Sequence, residues 1–243
     1  MNRRTFLNTV PAITFLAGTI SGGKKTIKTS SQETPNPAGD LQPIKLVKPE
    51  TDGGKSVLAS LKERRTIRSI DSKELPPQML SNLLWAAFGV NRENEPHGGP
   101  GRTAASASNS QEIDLYVTMP QGVYLYDAAA HILKPVVAGD YRHRARRRRG
   151  SRAPVNIFFV VDIAKYSKAP FQEPGLKDTE IQKSYYYVAT GLIAQNVYLY
   201  AASRGLAAHF HNCNKQDTHR EFKLRPEQRV LFAQTIGFPA AQA

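Results

Sequence analysis

Cysteine is almost absent: the 243-residue chain carries one, Cys213. A single thiol excludes an intramolecular disulfide framework and any zinc site built on several thiolates. Long apolar runs are lacking as well. The stretch VPAITFLAGTI at positions 10–20 is far shorter than the roughly 20 apolar residues a membrane-spanning helix needs. Acidic side chains are few, 20 against 33 Lys and Arg, leaving a formal charge of +13. What is present suffices for a core: 40% of residues are apolar and 9% aromatic, so the chain as a whole is not disordered. The length fits one domain, or one plus an appended segment.

The charge is unevenly placed. Arg3, Arg4, Lys24, Lys25 and Lys28 face only Glu33 and Asp40 in the first forty residues, and Arg142–Arg152 holds seven arginines and no acid. Outside these two segments the balance is ordinary for a globular domain. Arg3-Arg4 followed by Phe6-Leu7 and a short apolar stretch resembles a twin-arginine export signal. The expected organisation is an export signal over 1–22, a Gly/Ser/Thr/Pro-rich flexible linker over 23–52 and a folded domain over 53–243, with the protein exported, periplasmic or otherwise extracytoplasmic.

Periodicity predicts helices over 55–65 and 74–90, then a loop over 91–109 long enough to suggest function. Strands follow at 113–119, 123–126 and 131–137, a helix over 140–149, and a continuous apolar strand over 154–162 (PVNIFFVVD). A long helix over 179–204 is apolar on most of its circumference, which predicts a central, buried position. Strands at 206–211 and 228–238 flank a short helix over 217–224. The class is α+β, a central mixed or antiparallel sheet flanked by helices.

Three stretches carry possible chemistry. Arg64-Arg65-Thr66-Ile67-Arg68 offers three guanidiniums and a hydroxyl, a set that takes a phosphate, or equally a solvated helix C-terminus. Helical spacing would put Arg64 and Arg68 on one face. Arg102–Glu112 is dense in Ser, Asn and Gln, whose donors and acceptors suit the edge of a planar heterocycle, or simply a polar loop. Gln195 and Asn196 inside the apolar helix read as structural amides. His209, His211 and Cys213 alternate, so they would share one strand face and either hold Zn or Cu or line a crevice; no metal is assigned. The arginine run lacks interleaved aromatics, which disfavours nucleic acid over a solvated helix or contact with an anionic surface.

Taken together, LKERRTIRS (61–69), ELPPQMLSNLLWAAFGVNR (74–92), RTAASASNSQEIDLYV (102–117), GVYLYD (122–127), APVNIFFVVD (153–162), TGLIAQNVYLYAASRGL (190–206) and QTIGFP (234–239) resemble, in order, the FMN-dependent nitroreductase-like oxidoreductases, and within them the SagB-type dehydrogenase branch. The resemblance implies a domain-swapped homodimer binding FMN, with ping-pong electron transfer through flavin N5 and NAD(P)H as a possible donor. It places Arg64, Arg65 and Thr66 at the FMN phosphate and ribityl chain, and Arg68 near the pyrimidine edge. Ser106, Ala107, Asn109 and Gln111 fall in a loop reaching the flavin across the dimer. Asn212 and Cys213 fall beside N5. No catalytic side chain is implied, since the flavin carries the reaction with a small-molecule or peptide substrate. The rival reading is a flavin-free binding protein on the same fold, attached to an anionic surface by Arg142–Arg152. Replacing Arg3 and Arg4 by Lys is expected to strand the protein in the cytoplasm, because paired guanidiniums and not charge alone are read. Unchanged extracytoplasmic amounts, measured by cell fractionation, would remove the export reading.

Overall fold

The computed structural model describes residues 38–96, 98–145 and 153–241. In chain order the elements are β1 (Ile44–Lys45), α1 (Val57–Glu63), α2 (Pro77–Phe88), β2 (Val90–Arg92), β3 (Gly101–Arg102), β4 (Ile113–Met119), β5 (Gly122–Asp127), β6 (Ile132–Ala138), β7 (Val155–Asp162), α3 (Thr179–Ser203), β8 (Ala207–His211), α4 (Lys215–Glu221) and β9 (Gln228–Gly237). Seven strands form one antiparallel sheet in the order β1-β6-β5-β4-β7-β9-β8, and β2 and β3 make a separate ribbon.

Strand β7 explains the layering. All eight of its residues are buried, so both sheet faces must be covered. Val155, Ile157, Phe159 and Val161 point to a core shared with Leu83 and Leu84 of α2 and Ile193 and Val197 of α3. Phe158 and Val160 point the other way, to a second core with Tyr116, Phe222 and Cys213. The polar Asn156 on that second face is held by Thr118 and Thr235 at 3.2 and 2.8 Å, as burial demands.

Local chemistry sets the helix ends. Pro76 and Pro77 open α2, where a missing N–H is tolerated. Gly89 closes it, and a Cβ there would fall 2.4 Å from the Trp85 ring. The Asp178 carboxylate caps α3 by accepting from Glu180 and Ile181 N–H at 2.8 and 3.1 Å. Gly205, at φ +69°, turns the chain out of α3 into β8.

Four expectations are corrected. Helix α3 buries one side only: Ile181, Val188 and Leu192 are exposed, Val188 at 62%. Its apolar circumference exceeds what one sheet can cover. The second half of the segment read as linker belongs to the domain. There β1 pairs with β6, Leu46 is buried and Glu50 N–H donates to Asn82 Oδ1 at 2.8 Å. Of the expected helix over 140–149, the described part forms a 3-10 turn at Arg142–Ala145 and not an α-helix, its start fixed by Arg142 on Asp140 and Arg144 on Asp217; positions 146–149 lie outside the described residues. Finally, the chain leaves helical geometry at Arg64, so Arg64 and Arg68 share no helix face. The rest of the arginine run, the export signal and the first part of the linker lie outside the described residues.

His131 pins residues 44–50 down. Ser81 Oγ donates to the Val47 carbonyl at 2.5 Å, so His131 Nε2 donates to Ser81 Oγ at 2.7 Å, and Nδ1 accepts from Tyr126 O–H at 3.0 Å. Burial holds the imidazole below its ordinary pKa, opposed by its bond to the Val47 carbonyl. The neutral ring is thus favoured by folding. Its contribution is full above the unfolded value of about 6.5 and is lost as pH falls through the window between that and the lower folded value. Urea titrations between pH 7.5 and 5 are expected to show stability falling, with a shallower fall in His131→Gln; identical pH slopes would contradict this.

Candidate functional site

The arginine segment leaves α1 extended and runs along the outer edge of β8, where Ile67 N–H donates to the Ala208 carbonyl at 3.0 Å. Tyr198, half-buried near the C-terminal end of α3, organises it. The Tyr198 hydroxyl accepts from Phe210 N–H at 2.8 Å and bonds Thr66 Oγ1 at 3.0 Å, and the Arg64 guanidinium lies 5.4 Å over its ring. Sequence reading missed Tyr198, because one tyrosine in an apolar helix carries no mark of a polar duty. Arg64 and Arg65, with Lys62, Gly205 and Pro239, line a cleft of about 520 Å³. Among the described residues neither Arg64 nor Arg65 pairs with a carboxylate. The C-termini of α1 and α3 both end here. Their carbonyl ends favour the arginines but disfavour an anion, so an anion here depends on the guanidiniums.

The serine-rich loop is built by strain and internal bonds. Ser108, Asn109 and Gln111 all have φ near +50°, and non-glycine residues in this region cluster at functional sites. Asn109 Nδ2 donates to the Gly98 and Pro100 carbonyls at 3.1 and 3.3 Å. Gln111 Nε2 donates to Pro100 O at 2.7 Å and Asn109 Oδ1 at 2.9 Å, and Arg102 Nε donates to Gln111 Oε1 at 2.6 Å. The two amides therefore shape the loop, and what it presents outward is the half-buried surface of Ser106, Ala107 and Ser108. Behind it Glu112 is fully buried: Oε2 accepts from Ser110 Oγ at 2.7 Å, Oε1 makes no hydrogen bond of good geometry among the described residues, and burial pushes the carboxyl up. Ser106, Ser108 and Asn109 line a second cleft of about 520 Å³ with Asn91, Arg92 and Phe171. It shares no residue with the arginine cleft.

Beyond β8 the structure separates the remaining candidates. Asn212 is exposed, with Oδ1 accepting from Cys213 N–H at 3.0 Å. The Cys213 side chain turns away into the second core, and burial pushes its thiol up to about 12, so it offers only its backbone to a ligand near Asn212. His209 and His211 do share a face, with ring centroids 4.6 Å apart, but β8 ends at His211 and Cys213 does not join them. Among the described residues no group of three or more His, Cys, Asp or Glu could hold a metal. Asn196 is structural, donating to the Thr103 carbonyl at 3.1 Å.

A sheet with α3 on one face, an arginine segment on its edge strand and a strained serine loop beside a buried carboxylate define one class, and comparison with known proteins agrees. The nitroreductase family model matches residues 61–238. A crystal structure of a nitroreductase-like protein from Ralstonia eutropha is 32% identical, covers 86% of this chain and 96% of its own, and superposes with a TM-score of 0.73. A nitroreductase homologue from Methanocaldococcus jannaschii is 26% identical over 155 residues, covering 59% of this chain and 72% of the other. One chain of an Escherichia coli microcin synthetase complex shares the fold at 17% identity and a TM-score of 0.59, covering 79% of this chain and 76% of its own. The chain belongs to the nitroreductase family and is an oxidoreductase of the FMN-dependent class. No helix among the described residues is long and apolar enough to cross a membrane.

Proposed function

We propose that this protein is an FMN-dependent oxidoreductase of the SagB-type branch, working in ping-pong order on a small-molecule or peptide substrate with NAD(P)H as donor. Each of its two sites is shared between the subunits of a domain-swapped homodimer. The observation that carries this reading is the separation of the arginine cleft from the serine-loop cleft within one protomer. A ligand that needs both must find the second on another copy. The exposed apolar positions Ile181, Val188 and Leu192 of α3, with Val57, Leu58 and Leu61 of α1, form a face that a second copy would cover. The branch assignment rests on the order of the seven motifs between residues 61 and 239.

The donor set fits FMN. Among the described residues Arg64 and Arg65 are cations without carboxylate partners, and Thr66 is a hydroxyl bonded to Tyr198 and available to a ribityl oxygen. FMN, when bound, supplies two-electron chemistry at N5. The chain binds and orients. Arg64 and Arg65 would hold the phosphate, Arg68 would favour negative charge on the pyrimidine edge, and the Asn212–Cys213 backbone would lie beside the ring. Ser106 and Ala107 of the other subunit would cover the ring.

Supernatant from the boiled protein is expected to show flavin absorbance at about one FMN per protomer, and light scattering to give twice the chain mass. Arg64→Ala removes a charge-assisted contact of roughly 1.5–3 kcal/mol, so FMN affinity falls about tenfold to hundredfold. Protein without flavin, or an Arg64→Ala variant that binds FMN as tightly as the parent, would contradict the proposal.

A further inference from the structure

A third cleft, of about 650 Å³, lies between the first half of α3, α4 and the start of β9. Tyr186 and Tyr187 form one wall. Lys183, Lys215, Arg229 and His219 stand round it, and no carboxylate lines it. The nearby acids are engaged: Glu180 holds Lys183 at 2.5 Å, and Asp217 and Glu221 turn to Arg144 and Arg220. The Lys215 ammonium sits 5.2 Å over the Phe232 ring. Among the described residues neither it nor Arg229 pairs with a carboxylate. Like charges gathered round one hollow oppose one another.

We propose that this cleft binds a small aromatic carboxylate. The two tyrosines, tilted at 4.7 Å, give the cleft an aromatic wall that suits a planar apolar body. Lys215 and Arg229 leave charge for one anionic head, which the planar guanidinium can take by a two-pronged contact. The proposed dimer face does not cover the cleft. At about 100° per residue, Lys183, Tyr186 and Tyr187 lie roughly opposite the Ile181–Val188–Leu192 stripe on α3. The cleft is linked to the candidate site through β9, where Leu231 of its lining precedes Phe232. Phe232 packs on Phe210 at 4.8 Å, and Phe210 is two residues from the exposed Asn212. That the ligand is a substrate rests on the flavin reading; that it binds does not.

The test uses the full chain and two probes of similar shape, 4-nitrobenzoate and uncharged nitrobenzene, with affinities from calorimetry or ligand-observed NMR. The parent is expected to prefer 4-nitrobenzoate by about tenfold or more, with the preference shrinking as salt is raised. Lys215→Gln with Arg229→Gln should abolish that preference, leave nitrobenzene binding unchanged, and keep the parent's circular dichroism and flavin content. Equal binding of the two probes by the parent, or a preference that survives the double substitution, would overturn the proposal. Protein that prefers the carboxylate yet carries no flavin would uphold the cleft and remove the redox reading alone.

Discussion

The burial of β7 on both faces is the constraint from which the rest follows. A strand with eight buried residues needs partners on each edge and a layer on each face. Its edges are taken by β4 and β9, and its faces by two separate cores. Those neighbours deliver the functional segments. The serine loop runs straight into β4, and β9 holds β8, against whose far side the arginine segment lies. The two candidate segments are thereby anchored on opposite sides of β7. Their separation in one protomer is a consequence of topology, and the proposed shared site would reconcile them.

Residue patterns revealed the elements with strong periodicity and hid those without it. PVNIFFVVD announces a buried strand, and the apolar spacing of α2 and α3 announces helices. Strand β1 was hidden because two residues, Ile44 and Lys45, cannot show an alternation among prolines and lysines. The β2–β3 ribbon was hidden for the same reason, being short and glycine-flanked. The face of α3 was misjudged because periodicity reports apolarity and not what covers it: Val188 and Ile193 look alike in sequence, yet one is exposed and the other buried.

The candidate site was half legible. Arginines and serines are visible by composition, and order along the chain gave them a family. Their geometry was not visible. Asn109 and Gln111 were read as groups for a ligand, but their amides are occupied in holding three left-handed residues in place. Tyr198 acts through a partner far away in sequence, 132 residues from Thr66, and Glu112 is set apart by burial, which no local pattern announces. Cys213 illustrates the converse: alternation placed it beside His209 and His211, but the strand ends first and the thiol enters the core.

The central claim, that each site is completed by a second subunit, is tested most directly by subunit complementation. Arg64→Ala damages one half of the site and Ser106→Trp obstructs the other, so each variant alone should bind FMN poorly. In a mixed dimer made by co-expression with two different tags, one site would combine the intact arginine segment of one chain with the intact loop of the other. The account predicts that doubly purified heterodimers regain tight binding of about one FMN per dimer. Heterodimers that bind FMN no better than either parent variant would show that the site lies within one chain.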